Sequence, residues 1–476
     1  MRKMILLALF AVALIAAPAF ASVQNVKISG DIGSTWVVRD QFDLGQRTTS
    51  GGSYYQNFLL TQTRLRVDAD LTDNVSTTVG LLNERTWGSE DLSDTSGNNN
   101  NDIDLNLAYV TLREMLYSPL TVTIGRQAFA YGNSFVIDSA GANNVVASGG
   151  LNGAAEDLTA RTALDAIRMV LDYKPLTIDL VAAKVTDNNN RGNGAQDDDV
   201  DLFGVNANYQ LGDSRNTVVE SYFWSKLDQS VKNTAGDKAD AVYMPGVRVA
   251  TNPIKDLNVS AELAWQFGNK TNTDSAATIA NVKRNAIAAQ VISNYALPLE
   301  VTKKWNPMLM GAYTFVSGDS NALEAQTAGG NGEDTYTAWD PMFENQAAGK
   351  IYNTLFDLTN GHIITSKLSL NPMEDVTASV QWDGMWVNKE VNGGSLTGDC
   401  QGSGCFTMRF PDGRTSTPHV TTDTSVGQEI GLGLTYDYTE DVKIGGNVGW
   451  FFPGDFFHGD NQDAASQYLV NANVSF

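Results

Sequence analysis

Charged side chains recur at every second position in several stretches of this chain, and they are the residues best suited to act on a solute. Arg64, Arg66 and Asp68 alternate with Leu65 and Val67. Side chains of a β-strand point to opposite faces with a period of two, so these three charged groups share one face. Guanidinium and carboxylate groups on one face can pair with each other or contact polar and anionic solutes.

The same alternation predicts more charged groups on the polar faces of other strands. They are Arg39, Asp104, Arg168, Asp172, Arg248, Glu262, Arg284, Lys367 and Asp383. Arginines that face carboxylates across a water-filled lumen create a transverse field that selects among solutes. Mutual pairing that holds the wall rigid and direct contact with a solute are equally good interpretations of this pattern.

Residues for other chemistry are scarce. The three histidines are His362, His419 and His458, and none belongs to a nucleophile elbow or a metal-binding motif. The sequence therefore predicts a protein that is not an enzyme and that has no metal site and no cofactor. The net charge of −22 also argues against nucleic acid as a partner, because that requires a positive surface. The acidic stretches are interpreted as solvated loops, with calcium binding as the alternative.

The elements that must position these charges are strands. Short connections such as 71–73 and 252–256 alternate with long ones such as 129–161, 318–360 and 389–425, and an even strand number with this asymmetry is typical of an outer-membrane barrel. Sixteen strands, or several soluble β domains, are the alternatives. Eighteen strands are predicted, at 24–40, 54–70, 74–86, 102–114, 119–128, 162–173, 176–186, 199–211, 216–227, 240–251, 257–268, 282–295, 307–317, 361–371, 376–388, 426–438, 442–452 and 465–476.

Both ends of the chain agree with a membrane barrel. Residues 1–21 combine a short positive segment, an apolar run and Ala19-Phe20-Ala21, which predicts a secretory signal peptide cleaved before Ser22. The last stretch alternates apolar and polar residues and stops on Phe476. That aromatic end resembles the signal read by the barrel assembly machinery of bacterial outer membranes. We therefore expect an all-β, transmembrane, antiparallel up-and-down β-barrel over residues 22–476, in contact with outer-membrane lipid and lipopolysaccharide.

Three loop features add to this interpretation. Cys400 and Cys405 lie in Cys-Gln-Gly-Ser-Gly-Cys, and in an exported protein such a pair predicts a small disulfide-closed loop. The loop 129–161, with the weakly polar stretch 141–153, is a candidate constriction of the pore, although a plain extracellular loop fits equally well. The loop 318–360 is a second candidate, and its aromatic residues could stack on sugar rings or pack the loop.

Six short motifs carry a family resemblance, namely Thr63-Arg64-Leu65-Arg66-Val67, Asn74-Val75-Ser76, Leu120-Thr121-Val122-Thr123-Ile124-Gly125-Arg126-Gln127, Tyr131-Gly132-Asn133, Asp165-Ala166-Ile167-Arg168 and Phe452-Pro453-Gly454-Asp455-Phe456-Phe457. In these motifs the chain resembles the alginate export family of outer-membrane porins. The resemblance implies an eighteen-stranded barrel with an arginine-rich lumen that passes anionic polysaccharide or related solutes, with Arg64, Arg66, Arg126 and Arg168 among the lumen residues. Alternation alone directs Arg126 to the lipid side, and a bulge at Gly125 would turn it inward.

The expected function is a porin for hydrophilic, anionic solutes of the saccharide type. A general diffusion porin without a dedicated solute is the closest alternative. A surface adhesin and an outer-membrane hydrolase are further alternatives. The predicted solute pathway consists of Arg39, Arg64, Arg66, Arg126, Arg168, Arg248, Arg284, Lys367, Glu262 and Asp383.

Overall fold

Eighteen antiparallel strands close into a barrel in the computed structural model of the protein. The structure describes residues 25–45, 54–88, 103–117, 119–139, 156–161, 163–186, 199–229, 239–271, 281–298, 303–320, 335–345, 348–391, 394–395, 408–409, 415–416 and 419–476. The predicted signal peptide and the cysteines Cys400 and Cys405 lie outside these residues. Among the residues described, no helix has the length and hydropathy to cross a membrane.

The strands follow the chain in order around the barrel. Ring closure comes from β1, which pairs with β2 on one side and with β18 on the other. The strands are β1 Asn25–Asp40, β2 Tyr55–Thr72, β3 Val75–Thr86, β4 Ile103–Met115, β5 Leu120–Gln127, β6 Leu164–Asp172, β7 Leu176–Thr186, β8 Val200–Gln210, β9 Val218–Asp228, β10 Asp240–Ile254, β11 Leu257–Thr271, β12 Asn281–Ala296, β13 Met308–Val316, β14 Gly361–Met373, β15 Val376–Val387, β16 Ser425–Asp437, β17 Val442–Pro453 and β18 Ala465–Ser475.

Two shorter elements lie in the long connection between β13 and β14. A two-residue strand, Thr335–Tyr336, pairs in parallel with β12 and stands outside the ring of eighteen. The helix α1 follows at Lys350–Leu355. All eighteen predicted ring strands are confirmed, and a count of sixteen is wrong.

Alternation along each strand separates an apolar outer face from a polar inner face. On β11, Leu263 and Trp265 are exposed on the outer surface, whereas Ser260, Glu262 and Gln266 are buried on the inner side. A barrel can satisfy every backbone polar group within the ring, so the outer face is free to be apolar against lipid. Short turns lie at one end of the barrel, the short-turn end, and the long connections lie at the other, the long-loop end.

The largest buried apolar cluster lies inside the barrel, near the long-loop end. It joins inward residues of the wall, such as Trp224 and Met244, to residues of the long connections, such as Phe135, Trp339 and Phe356. An empty eighteen-stranded ring would leave a wide aqueous lumen. In this protein the long connections fold inward and occupy part of that space.

Candidate functional site

The inner wall of β1–β3 carries arginines that are open to the lumen. Register pairs Asp31 with Arg64, and the Arg64 Nε donates to Asp31 Oδ2 over 2.9 Å. Arg66 donates from Nε to Asp68 Oδ2 over 2.7 Å and lies beside Tyr109. The side chains of Arg64 and Arg66 are 50% and 45% exposed. These two arginines therefore combine an ion pair with access to the lumen.

Other predicted pathway residues face inward but are covered. Arg39 is fully buried, pairs with Asp157 over 2.6 Å and donates to Gln467. Asp383 is also fully buried and accepts from Thr365 Oγ1 over 2.6 Å. These groups cannot be reached by a solute in this conformation, so their contacts are structural.

Residues 129–139, here called segment A, extend into the lumen and contact the wall of β9–β11. The Gly132 N–H donates to Glu220 over 3.1 Å, and the Asn133 N–H donates to Glu262 over 2.9 Å. Asn133 Oδ1 in turn accepts from Arg248 Nε over 2.6 Å. Gly132 has a φ of 63°, and a Cβ there would lie 2.8 Å from the Glu262 carboxylate. Only glycine permits this approach.

Residues 335–345, here called segment B, pair with segment A inside the barrel. The Asp138 N–H donates to the Phe343 carbonyl over 2.6 Å, and the Phe343 N–H donates to the Val136 carbonyl over 3.1 Å. The rings of Phe135 and Trp339 stack with their centroids 5.9 Å apart. The two segments therefore form one packed unit, and Trp339 is buried in it rather than available to stack on a sugar.

Asp340 fastens segment B to the wall of β9–β12. Its carboxylate lies 2.7 Å from Lys226 Nζ and 3.8 Å from Arg284 Nη2. Its backbone N–H donates to Gln266 Oε1, and its carbonyl accepts from Gln266 Nε2. Burial alone would raise the pKa of Asp340, but the charges of Lys226 and Arg284 outweigh burial and lower it. Asp240, which pairs with Arg284 over 2.8 Å, belongs to the same network.

Wall glutamates anchor two further parts of the long connections. Glu429 accepts the backbone N–H groups of Ile351 and Tyr352 over 3.0 and 2.8 Å, at the start of α1. Glu84 accepts the Ala160 N–H over 2.7 Å, which holds residues 156–161 against β3. A carboxylate that accepts backbone N–H bonds is a strong anchor because the bonds are charge-assisted.

The position of Arg126 corrects one prediction. Register pairs Arg126 with Ala108 and Asp165, without a shift at Gly125, so Arg126 shares the outer face with Ile124. Its guanidinium pairs with Asp165 over 3.0 Å on that face. Gly125 has a φ of 119°, but this does not turn the next side chain inward. Arg126 therefore does not line the lumen.

The other predicted pathway residues fall into two groups. Arg168, Arg248 and Lys367 face inward and are partly open, and Arg168 donates to Asp179 over 2.6 Å. Glu262 and Arg284 are almost completely buried. Residues 140–155, which include the whole weakly polar stretch 141–153, lie outside the described residues, but the described flanks of that loop lie inside the barrel. The described flanks 129–139 and 156–161 therefore enter the lumen, and the constriction assigned to 141–153 stays a prediction.

Sequence reasoning missed the anchoring residues. Glu84, Glu220, Lys226 and Glu429 follow the inward alternation of their strands, so their direction was available from the sequence. Asp340 lies in a long connection with no periodic pattern, and no local signal marks it as an anchor. His362 bonds Tyr313 and Asn388 on the outer face. Among the described residues, no three His, Cys, Asp or Glu side chains are arranged to hold a metal ion.

A closed antiparallel barrel of eighteen strands with an inner polar face defines a channel of the porin type. A sequence profile of the alginate export family matches residues 26–471, and the chain belongs to that family. The expected resemblance is confirmed, and the protein is a non-enzymatic channel of the outer membrane. No curated protein matches the sequence.

Solved structures of outer-membrane channels share the fold. OccAB1 of Acinetobacter baumannii aligns with a TM-score of 0.55 at 11% identity, covering 97% of this chain and 98% of that chain. OccK2 (OpdF) of Pseudomonas aeruginosa, solved in complex with glucuronate, aligns with a TM-score of 0.52 at 12% identity, covering 95% and 99%. OccD3 (OpdP) of the same organism aligns with a TM-score of 0.53 at 12% identity, covering 95% and 92%.

Proposed function

We propose that this channel passes small hydrophilic anions, including acidic saccharides. The observation that carries the proposal is the pair Arg64 and Arg66, which together with Asp31 and Asn106 line a cavity of about 500 Å³ on the wall of β1–β4. Both guanidinium groups are about half exposed. A lumenal arginine that a solute can reach offers charge and hydrogen-bond donors to a carboxylate.

Arg64 and Arg66 each keep N–H donors that their ion pairs do not use. Arg64 donates to Asp31 through Nε, which leaves its two terminal nitrogens without a partner among the described residues. Arg66 uses Nε and one terminal nitrogen, on Asp68 and Tyr109. A guanidinium carries five N–H donors, so each arginine can hold its carboxylate and still donate to a passing anion.

The infolded segments favour small solutes over wide polymers. Segment A and segment B pack together within the lumen, and α1 rests on Glu429 beside them. The space that remains lies along the wall, where Arg64 and Arg66 are exposed. Glucuronate, which is bound to OccK2 in its solved structure, is a suitable first probe of an acidic monosaccharide.

The test is the reversal potential of the refolded protein in a planar bilayer under a potassium chloride gradient. We expect steady open-channel steps and a reversal potential that is displaced from zero toward the equilibrium potential of chloride. A reversal potential at zero would support a general diffusion porin instead, and a cation preference would reject the proposal. Absence of conductance from a folded barrel would favour the adhesin.

We further propose how the protein reaches its membrane. Residues 1–21 act as the leader, the assembly machinery reads Phe476, and lipid with lipopolysaccharide surrounds the apolar outer face. Phe476 supports this because its backbone pairs with Gly30 and its ring is exposed. Mass spectrometry of the membrane fraction should find Ser22 at the amino terminus and Cys400 bonded to Cys405. Phe476→Ala should lower the amount of assembled barrel relative to Tyr468→Ala.

A further inference from the structure

One row of the inner wall, across β14, β15 and β16, faces open space. Register pairs Lys367 with Gln381 and Gln381 with Gly431. Glu429 and Asp383 form the next row toward the long-loop end. A Cβ built on Gly431 would meet no atom of the described residues within 4 Å, so this part of the wall borders a part of the lumen that those residues leave unfilled.

Helix α1 lies next to this space and brings a second lysine to it. Gly449 pairs with Gly431, and a Cβ on Gly449 would lie 3.4 Å from Ile351 Cδ1. The first turn of α1 therefore rests against the same row of the wall. Lys350 begins that turn and has an exposed side chain. A Cβ on Gly349 would collide with the Glu429 carboxylate, so the position of the turn is closely defined.

Neither Lys350 nor Lys367 forms a salt bridge with a described residue. Glu429 is occupied by the N–H groups of Ile351 and Tyr352, and Asp383 accepts from Thr365 and Gln381.

Lys350 is surrounded by charges from several elements. The Lys350 side chain is exposed to the lumen, but the surrounding wall and connections remove much of its hydration. This desolvation, together with the charge of Lys367, lowers the pKa of Lys350, although Asp157 and Glu429 oppose the shift. Two ammonium groups that repel each other beside an open space are stabilised by an anion placed between them.

We propose that Lys350 and Lys367 form a binding site for one carboxylate group in the space beside Gly431. The ligand class is a small organic acid with hydroxyl groups, such as a uronate. This inference rests on the proposed function, because the site is reached only if anions pass the lumen. The site lies beside α1, which occupies part of the lumen next to β16 and β17, so a bound anion there would delay the ions behind it.

The test is the block of chloride current by D-glucuronate in single-channel recordings, with uncharged D-glucose as the reference solute. The wild-type protein should be blocked by glucuronate and not by glucose. In Lys350→Gln and in Lys367→Gln the half-blocking concentration should rise about tenfold, because each variant removes one charge-assisted hydrogen bond. Lys174→Gln, which removes an exposed lysine at the short-turn end, is the matched control and should leave block unchanged.

A second variant keeps every charge and fills the space. Gly431→Leu should abolish block by glucuronate, while its reversal potential should remain displaced toward the equilibrium potential of chloride. Anion selectivity with unchanged block in the lysine variants would overturn the carboxylate site and leave the proposed function standing. A wild-type channel that shows no anion selectivity would overturn both the carboxylate site and the proposed function. Heat-modifiable migration in gels, compared with wild type, verifies that each variant has folded.

Discussion

Two parts of the barrel wall carry similar arginine–aspartate ion pairs, but one pair is buried and the other is exposed to the lumen. On β10–β12, Arg284 and Asp240 are 1% and 6% exposed, because segment B covers them. On β1–β2, Arg64 and Asp31 are 50% and 30% exposed, because no described segment lies over them. The wall of β10–β12, here called the covered wall, thus holds a closed network of paired charges. The wall of β1–β2, here called the open wall, offers its N–H donors to the lumen.

Burial therefore decides what an inward charge does in this protein. Removing one partner of a buried pair leaves an uncompensated charge, which is strongly destabilising. An exposed pair contributes little to stability, since water and salt screen it. Loss of a buried charge should act on folding and loop docking, whereas loss of an exposed charge should act on selectivity.

Arg284→Met should give the largest effect. The variant leaves Lys226 and Lys270 as the only cationic partners of Asp240 and Asp340 among the described residues. We therefore expect a loss of about 4 kcal/mol in the free energy of unfolding. Urea unfolding of the refolded barrel in detergent measures this. Arg64→Met is the matched control on the open wall, with a loss below about 1 kcal/mol. Equal losses in the two variants would contradict the distinction between the walls.

Trp339→Ala should separate segment A from segment B. The side chain is buried against Phe135, and its removal should destabilise the packed unit by roughly 3 kcal/mol. We expect faster proteolysis of the long connections and larger, noisier conductance steps. Trp265→Ala removes an exposed tryptophan from the outer face and should change neither. Unchanged conductance in Trp339→Ala would mean that the segments do not restrict the lumen.

Asp340→Asn should weaken the contact between segment B and the wall by ~2 kcal/mol, the value of a charge-assisted hydrogen bond. Because folding lowers the pKa of Asp340, its ionised form stabilises the folded state at every pH above the unfolded pKa of about 4. The difference in unfolding free energy between wild type and variant should therefore be constant from pH 7 to pH 5. It should shrink only in stronger acid, as the pH falls through the lowered pKa. A difference that already fades between pH 7 and pH 5 would contradict this.

The double variant Arg64→Gln and Arg66→Gln should have the smallest effect on stability and a clear effect on transport. The reversal potential should move toward zero, because the exposed positive charges of the open wall are removed. Urea unfolding should stay within about 1 kcal/mol of wild type. The same pair of measurements on Arg126→Gln is the control, since that residue faces outward. An equal shift in the control would mean that charge anywhere on the barrel sets selectivity.

The sequence predicted the strands well because a strand's pattern is local. All eighteen ring strands follow from alternation and turn residues, and the inward direction of Arg64, Glu262 and Asp383 follows from the same period of two. The one error of direction, Arg126, arose where a family resemblance was preferred to the alternation. The register shows that the local pattern was the better guide there.

The sequence by itself determined the barrel, the strand number and the face on which each wall charge lies. Only the tertiary structure decided which of those charges remain open to a solute. That outcome depends on contacts between residues far apart in the chain, such as Asp340 with Lys226 and Asn133 with Glu262. Such contacts form when long connections without a regular pattern fold into the lumen, and no local periodicity encodes where they come to rest.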